Sequence, residues 1–317
     1  MKYSLMSLMI DSELKVSKPN FIHMHILDTL GYTGGVPTVD EMFNIFEEKG
    51  VPIKNGTMTF EDMVRFAKET GFDGLDLMSF NLTVPGVEAK AILEKYGIVL
   101  SSANVIIPFA GAMSEEEYQG MMVQAKSDID ECCAAGAKQI MLVPAVYNLP
   151  AGLTMEKSVQ NCIRALRELV VYCNEKHVII STETLESAEL SYCTCGEMLR
   201  ILDSVDGLKY THDTGNPIVG LEDPVAVYEM FKDRVSYVHF KEYAYVDDAD
   251  GILCRNGNKV KRVPYGQGVI DFKGHLKAFK ENGYDGFINL EGHTREDDVL
   301  EGTKGALKYF KDMEAAL

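Results

Sequence analysis

The sequence predicts one (β/α)8 barrel of the TIM barrel class, as a single domain over residues 1–317. Eight short apolar segments rich in Val, Ile, Leu and Met alternate with amphipathic helical patterns. No linker or low-complexity segment interrupts this alternation, and 317 residues with 46% hydrophobic content can bury one large core. Eight uninterrupted units favour a closed barrel over an open sheet.

The predicted elements follow one another in strand–helix order. The strands are Met1–Ile10, Phe72–Phe80, Val99–Ile107, Gln139–Val146, Val178–Thr182, Leu208–His212, Val235–Phe240 and Phe287–Leu290. The helices are Thr59–Lys68, Val84–Tyr96, Ser114–Ala135, Thr154–Lys176, Gly196–Ser204, Pro224–Lys232, Asp271–Asn282 and Asp298–Ala315. The apolar composition of the strands is typical of buried parallel strands. The helices begin with capping or acidic residues, as at Thr59 with Asp62 and at Glu115–Glu117.

The first unit differs from the others because residues 12–57 form an insertion between its strand and its helix. Apart from a short helix at Asp40–Lys49, we expect this insertion to be irregular, and His23 and His25 would share a face in an extended segment. Insertions of this length are usually functional or involved in contacts, because structureless loops so long are rare. A second long loop, Ala244–Gly268, is predicted after the seventh strand.

The charge balance and the cysteines exclude several classes of function. A net charge of -17, from 48 acidic and 31 basic residues, disfavours nucleic acid as a partner and is compatible with cation binding. Seven cysteines without a CxxC pair indicate free thiols in a reducing compartment, so we expect a cytoplasmic protein. Cys193 and Cys195 lack companion ligands for a soft metal. The apolar start, Met1–Ile10, is too short to cross a membrane, so no membrane partner is expected.

Polar side chains end the last four predicted strands. Glu183, Asp213, His239 and Glu291 follow one another at intervals of 30, 26 and 52 residues, and each follows an apolar run. Because the carboxyl ends of barrel strands share one rim, we expect these side chains to converge. Three carboxylates and one imidazole at one point would repel and desolvate each other without a cation between them.

A mainly oxygen donor set with one nitrogen suits a hard or borderline divalent ion. The sequence therefore predicts that Glu183, Asp213, His239 and Glu291 bind Mn²⁺, with Mg²⁺, Co²⁺ and Zn²⁺ as alternatives. No dinucleotide or phosphate-binding glycine motif is present, so no further cofactor is expected.

Several motifs accompany these residues. They are Glu183, Asp213-Thr-Gly-Asn216, Val238-His-Phe-Lys-Glu242, Gly266–Asp271 and Gly283-Tyr-Asp-Gly286, which leads to Glu291. Together they resemble the sugar phosphate isomerase/epimerase group with a xylose isomerase-like barrel. The resemblance covers Val178–Glu291 well and the amino-terminal part more loosely, through Gly71–Asp76, while the insertion lies outside it.

The resemblance implies roles for the two glutamates. In ketose 3-epimerases of this group, the metal-binding glutamates also transfer the proton on opposite faces of the sugar, and here they match Glu183 and Glu291. A metal that holds a carbonyl and the neighbouring hydroxyl acidifies the C–H bond, so carboxylates on either side can remove and return the proton. Two positions depart from the epimerase pattern, with Asn216 where a substrate-binding His is expected and Tyr245 where an Arg is expected.

Other residues near these motifs are candidates for substrate contact. We predict that Asn216, Lys241, Glu186 and His293 bind the substrate, since they lie two or three residues beyond predicted metal ligands. Asp76, at the end of the second strand, would accept a hydrogen bond behind the metal ligands, and His212 should point away from the rim. Basic residues of the seventh loop would attract an acidic substrate: Lys259, Lys261 and Arg262.

The leading functional prediction is a divalent-metal-dependent sugar isomerase or epimerase that works by proton abstraction next to a carbonyl. The alternative is a metal-dependent lyase, such as an inosose-type dehydratase or a C-glycoside deglycosidase barrel subunit. In the deglycosidase case, residues 12–57 would dock a small partner subunit. An endonuclease-like DNA repair enzyme would need a His-rich zinc cluster and a basic face, which seven His and the negative charge argue against. A non-catalytic binding protein would retain ligand binding after E183Q and E291Q. The predicted partners are a sugar or keto-glycoside and further copies of the chain, as a homo-oligomer.

Overall fold

The computed structural model, which describes residues 1–144, 149–188, 192–249, 251–292 and 298–317, contains a closed barrel of eight parallel strands. The strands in the described residues are β1 Lys2–Met6, β2 Gly74–Met78, β3 Val99–Ile106, β4 Gln139–Val143, β5 Ile179–Thr182, β6 Lys209–Asp213, β7 Val235–Phe240, β8 Tyr243–Val246, β9 Ile252–Leu253, β10 Lys259–Arg262 and β11 Phe287–Leu290. The barrel order is β1-β11-β7-β6-β5-β4-β3-β2, which confirms the predicted fold class.

Helices connect the barrel strands and cover the outside of the barrel. They are α1 Phe21–Thr29, α2 Val39–Glu48, α3 Phe60–Thr70, α4 Gly86–Tyr96, α5 Glu115–Ala134, α6 Met155–Glu175, α7 Cys195–Ser204, α8 Asn216–Val219, α9 Pro224–Phe231, α10 Phe272–Glu281 and α11 Val299–Ala315. The predicted capping signal at the start of α3 is present, since Thr59 and Asp62 form reciprocal hydrogen bonds. Apolar side chains pack between the helices and the strands in two large clusters.

The insertion contains two helices. Helix α2 confirms the short helix predicted at Asp40–Lys49, whereas α1 lies where an irregular segment was expected, so that part of the prediction was wrong. Asn20 and His23 form a capping box at the start of α1, and α2 begins with a second one, formed by Thr38 and Glu41. The two helices bury their own small apolar cluster around Leu27, Met42 and Phe46. His23 and His25 therefore lie on a helix rather than on one face of an extended strand. His23 is buried, and its ring is 6.1 Å from that of Phe46.

The long segment after β7 is also ordered, contrary to the expectation of a loop. Strands β8, β9 and β10 form a three-stranded antiparallel sheet in the order β8-β10-β9. The Glu242 carboxylate accepts hydrogen bonds from the backbone N–H groups of Gly266 and Ile270, both at 3.0 Å. These bonds fix the end of the sheet segment against the barrel beside β7.

Several predicted strands are shorter in the structure, including the second, which is Gly74–Met78. The first ends at Met6 and continues as a 3-10 turn over Ser7–Glu13, and β4 ends at Val143. The last two residues predicted for the fourth strand lie outside the described residues. Among the described helices, none combines the length and the apolar content that crossing a lipid bilayer requires.

Candidate metal centre

Four side chains meet at the carboxyl end of the barrel. Glu183 and Glu291 directly follow β5 and β11, Asp213 ends β6, and His239 is the last but one residue of β7. One ligand atom from each of these residues lies within 4.8 Å of the corresponding atoms of the other three. All four side chains are buried, so a high local density of negative charge is held away from water.

Strand register explains why the four residues meet. Asp213 and His239 are paired neighbours on β6 and β7, and the Glu291 N–H donates to the carbonyl of Phe240 at 2.9 Å. A shift of one residue in any of these strands would turn the polar side chain to the other face.

The loop after β6 holds the Asp213 carboxylate in one orientation. Its Oδ1 atom accepts hydrogen bonds from the backbone N–H groups of Gly215 and Asn216, both at 2.7 Å. Position 215 requires glycine, because a Cβ atom there would lie 2.7 Å from the Tyr243 ring. The second oxygen, Oδ2, is the one that faces the other three residues.

His239 is oriented by a carboxylate behind it. Its Nε2 atom lies 3.1 Å from Asp76 Oδ2, and Asn104 Nδ2 donates to Asp76 Oδ1 at 2.8 Å. Both His239 and Asp76 are fully buried. A proton on Nε2, donated to Asp76, leaves the Nδ1 lone pair facing the centre, which is the usual arrangement of a histidine that binds a metal. This contact is the hydrogen bond predicted for Asp76, although Asp76 lies in the middle of β2 and not at the end of the strand as predicted.

The two glutamates both lie close to the same ring nitrogen of His239 and differ in their surroundings. His239 Nδ1 is 3.3 Å from Glu183 Oε2 and 3.0 Å from Glu291 Oε2. Burial raises the pKa of Glu183 to about 7, because desolvation outweighs the nearby positive charges. Burial acts in the same direction at Glu291, but Lys241 and His239 outweigh it and lower the pKa of that carboxyl.

Lys241 is a buried cation beside the centre. Its Nζ atom lies 2.9 Å from Glu291 Oε1 and 3.1 Å from Asp213 Oδ2, and it donates to Asn216 Oδ1 at 3.2 Å. Burial opposes the charge, but Asp213 and Glu291 outweigh it and raise the pKa of the ammonium group well above its ordinary value. One lysine cannot balance the three carboxylates of Glu183, Asp213 and Glu291.

The donor atoms at the centre fit a divalent cation. Among the described residues, none of the four facing atoms has a hydrogen-bond partner of normal geometry, although all four are buried: Glu183 Oε2, Asp213 Oδ2, His239 Nδ1 and Glu291 Oε2. Buried polar atoms normally have partners, so four such atoms facing one another, with the Lys241 cation beside them, indicate a shared ligand such as a metal ion. The carboxylates also raise the pKa of His239 well above its ordinary value, against the effect of burial, and the same field attracts a metal ion.

The centre opens into a cavity of about 600 Å³. Glu183, Glu291, Asn216 and Lys241 contribute polar groups to its lining. Much of the remaining lining is apolar and includes Met6, Leu8, Ile22, Met78, Ile106 and Met141. A cavity of this volume with a few convergent polar groups is typical of a site for a small molecule.

Comparisons with known proteins agree with this architecture. The family described as xylose isomerase-like TIM barrel matches residues 64–313. The chain belongs to this family. The curated inosose dehydratase of Lacticaseibacillus casei is 33% identical over 134 residues, which cover 39% of this chain and 44% of that enzyme. The chain thus spans less than half of the length of this relative.

Solved structures share the fold at low sequence identity. The E. coli protein YcjR, a 3-keto-D-glucoside 4-epimerase, has a TM-score of 0.67 at 16% identity, covering 81% of this chain and 95% of that one. The IOLI protein with a bound zinc atom has a TM-score of 0.66 at 17% identity, covering 82% and 94%.

The structure also locates the charged residues predicted to contact substrate. Glu186 lines the cavity and forms an ion pair with Arg262 of β10 at 2.5 Å, and the Tyr243 hydroxyl donates to the same carboxylate. Arg262 and Lys241 lower the pKa of Glu186 against the effect of burial. Arg262 thus brings a guanidinium group to the cavity from another element, whereas Tyr245, where the family pattern expects Arg, is half exposed.

The remaining predictions have different outcomes. His212 packs outside the barrel against Tyr228 and His275, as its position in β6 predicts. Lys261 forms an ion pair with Asp248 at 3.0 Å rather than reaching into the cavity lining. His293 lies outside the described residues, so its predicted contact stays a prediction. Sequence reasoning did not identify Asn104 or Asp11, because neither belongs to a recognisable motif.

Proposed function

We propose that the protein is a divalent-metal-dependent epimerase or isomerase of keto-sugars that removes a proton from the carbon next to a carbonyl. The observation that supports this most is the set of four buried, unsatisfied donor atoms within 4.8 Å of one another beside a 600 Å³ cavity. Proteins similar to this chain include one named for sugar epimerisation and one named for dehydration, and removal of such a proton would begin either kind of reaction.

We propose Glu183, Asp213, His239 and Glu291 as the metal ligands and Mn²⁺ as the metal, with Mg²⁺, Co²⁺ and Zn²⁺ as alternatives. When bound, a divalent ion would polarise the carbonyl and acidify the neighbouring C–H bond. The buried imidazole and carboxylates keep this position away from bulk water.

The two glutamates would exchange the proton with the substrate. Glu183 and Glu291 approach His239 Nδ1 at 3.3 and 3.0 Å, and a substrate carbon held between the two carboxylates would meet one of them on each face. One glutamate removes the proton from one face of the carbon, and the other returns a proton to the opposite face, which inverts the configuration. Return of the proton to the former carbonyl carbon, with transfer of the neighbouring hydroxyl proton to the former carbonyl oxygen, converts a ketose into an aldose.

The other polar residues of the cavity would bind and orient the substrate. Lys241, 2.9 Å from Glu291 Oε1, favours the ionised form of that carboxylate and fixes its orientation. Asn216 is held by its donation to the Thr184 carbonyl at 2.7 Å. Asn216, Lys241 and Glu186 line the cavity, where they would contact substrate oxygen atoms, and we retain His293 as a fourth candidate.

A lyase is the second candidate, and the match to an inosose dehydratase favours it. After the same proton abstraction, a leaving group on the next carbon departs with its bonding electrons, and a C=C bond forms. A proton from a glutamate or from Lys241 would go to the leaving oxygen. Keto-glycosides and inososes therefore belong in any test of substrates beside free ketoses.

Metal analysis combined with solvent deuterium uptake tests the proposal. The purified protein is loaded with Mn²⁺ and incubated in D₂O with ketoses, inososes and keto-glycosides, and carbon-bound deuterium is measured by NMR. We expect uptake with inversion in the wild type, and loss of inversion in both E183Q and E291Q. The exposed substitution E47Q is the matched control. A product lighter by water would instead identify the lyase.

Two results would contradict the proposal. One is that no compound gains carbon-bound deuterium although the protein contains one metal ion per chain. The other is unchanged inversion in both glutamine variants, since the glutamates would then not transfer the proton. The seven free cysteines are the basis for our further proposal that the protein works in the cytoplasm. That it forms a homo-oligomer there is also a proposal.

A further inference from the structure

A carboxylate outside the four-residue centre also lines the cavity. Asp11 lies in the 3-10 turn Ser7–Glu13, directly after β1, at the end of the barrel where the connecting loops form functional sites. Its neighbours in the cavity wall include the apolar side chains of Leu8 and Ile22. Ile22 belongs to α1, so the segment between β1 and α3 forms part of the cavity.

A chain of hydrogen bonds holds Asp11 in place. The backbone N–H of Met78 donates to Ser7 Oγ at 2.9 Å, and Ser7 Oγ donates to Asn81 Oδ1 at 2.8 Å. These contacts fix the Asn81 amide so that its Nδ2 atom donates to Asp11 Oδ1 at 3.0 Å. Ser7 and Asn81 are both buried. The carboxylate is therefore fixed from behind by residues of the barrel wall.

Asp11 keeps acceptor capacity for a ligand. An ionised carboxylate has about four lone-pair sites, and the hydrogen bond from Asn81 uses one of them. Burial is the largest influence on its pKa and raises it, while the Asn81 hydrogen bond and the charge of His23 lower it. A partly buried carboxylate loses hydration, and hydroxyl groups of a ligand would restore the lost hydrogen bonds.

We propose that Asp11 accepts hydrogen bonds from hydroxyl groups of the substrate, at the part of the molecule that does not react. The proposal rests on the function proposed above, which supplies a polyhydroxylated carbonyl compound. A carboxylate in an apolar wall distinguishes substrates by the hydroxyl group at that place. A substrate without this hydroxyl would desolvate the carboxylate and give it no hydrogen bond in return. The segment after β1 thus takes part in substrate selection.

This subsite belongs to a part of the chain that the family description does not cover. The family match begins at residue 64, whereas Asp11 and Ile22 precede it. Selectivity among keto-sugars would therefore depend on residues outside the matched region, while the metal centre lies within it.

A thermodynamic cycle between Asp11 and single substrate hydroxyls tests the proposal. The Mn²⁺-loaded wild type, D11A and D11N are titrated by calorimetry with D-fructose, 2-keto-myo-inositol and methyl 3-keto-β-D-glucoside. The titrations are repeated with the monodeoxy analogues of each compound. For one hydroxyl position, we expect its removal to weaken binding to the wild type about ten- to hundred-fold but to change binding to D11A by less than about twofold.

Two further measurements make the test specific. D28N changes the same charge at an exposed position of α1 and should behave as the wild type. In turnover assays, D11N should raise KM and change kcat little, since Asp11 does not touch the reacting carbons. A D11A variant that misfolds would be recognised by its lowered thermal midpoint. The isosteric variant D11N would then replace D11A in the thermodynamic cycle.

The outcomes separate this proposal from the proposed function. If removal of each hydroxyl weakens binding by the same factor in the wild type, D11A and D11N, the role of Asp11 is overturned. This holds even where deuterium uptake confirms the reaction. The absence of binding by all three compounds would also overturn it. Binding with a coupled hydroxyl but without deuterium uptake would support the role of Asp11 and contradict the proposed reaction.

Discussion

Replacing Lys241 with methionine tests how charge is balanced at the centre. The ammonium group lies 2.9 Å from Glu291 and 3.1 Å from Asp213, and Lys241 is only 2% exposed. Removing one partner of a buried ion pair typically costs about 3–5 kcal/mol, because the other charge stays buried without compensation. We expect K241M to lower the stability of the metal-free protein by an amount in this range.

The same substitution should strengthen metal binding. A divalent ion between Asp213 and Glu291 would compensate the charges that K241M leaves unpaired, and the ammonium group would no longer repel it. The metal-bound form therefore loses less stability than the metal-free form. If the stability lost through K241M is at least about 1.4 kcal/mol smaller in the metal-bound form, K241M binds Mn²⁺ at least about tenfold more tightly than the wild type.

The assay is calorimetric titration of chelator-treated protein with Mn²⁺, together with thermal unfolding with and without the ion. K277M, at a lysine whose side chain is 68% exposed, removes the same group from the surface and serves as the control. Weaker Mn²⁺ binding by K241M, or an unchanged stability of the metal-free protein, would refute the electrostatic reasoning.

Two further substitutions test how the centre is positioned. D76N removes the carboxylate 3.1 Å from His239 Nε2 and should weaken Mn²⁺ binding about 10-fold or more, the usual effect of losing such a partner; an unchanged calorimetric affinity would show that His239 is oriented by other contacts. G215A places a Cβ atom 2.7 Å from the Tyr243 ring and should displace the loop that holds Asp213, with weaker Mn²⁺ binding and a lower thermal midpoint. G305A, where a Cβ atom meets open space on α11, should leave the Mn²⁺ affinity unchanged, and equal effects of the two glycine substitutions would contradict this account.

The barrel and its rim could be predicted because both depend on local patterns. Apolar runs that end in Glu183, Asp213, His239 and Glu291 identify the strands and the residues at their carboxyl ends, and the fold then brings those ends to one rim. Lys241 could be placed beside the centre because it follows His239 by two residues, and side chains two residues apart share a face of an extended chain.

The sheet formed by β8, β9 and β10 was missed although a signal was present. Asn256-Gly257 is a dipeptide typical of hairpin turns, and Lys259–Arg262 contains the alternation of a strand. The rest of the segment is polar, and this composition favoured the prediction of a loop. The ion pair between Arg262 and Glu186 joins residues 76 apart in sequence, and no local pattern indicates such a contact.

Helix α1 of the insertion was missed for a different reason, whereas α2 is the helix predicted at Asp40–Lys49. The capping box of α1 pairs Asn20 with His23, whereas the usual sequence signal places Glu or Gln at the third helical position. The role proposed for Asp11 depends on Ser7, Met78 and Asn81, which come together only when β1 and β2 pair in the barrel.

Anomalous X-ray scattering from crystals soaked in Mn²⁺ tests the central claim most directly. We predict one strong peak per chain, placed among Glu183 Oε2, Asp213 Oδ2, His239 Nδ1 and Glu291 Oε2, and no such peak in crystals of D213N. A wild-type crystal without a peak at this position, or with its strongest peak elsewhere on the chain, would contradict the account.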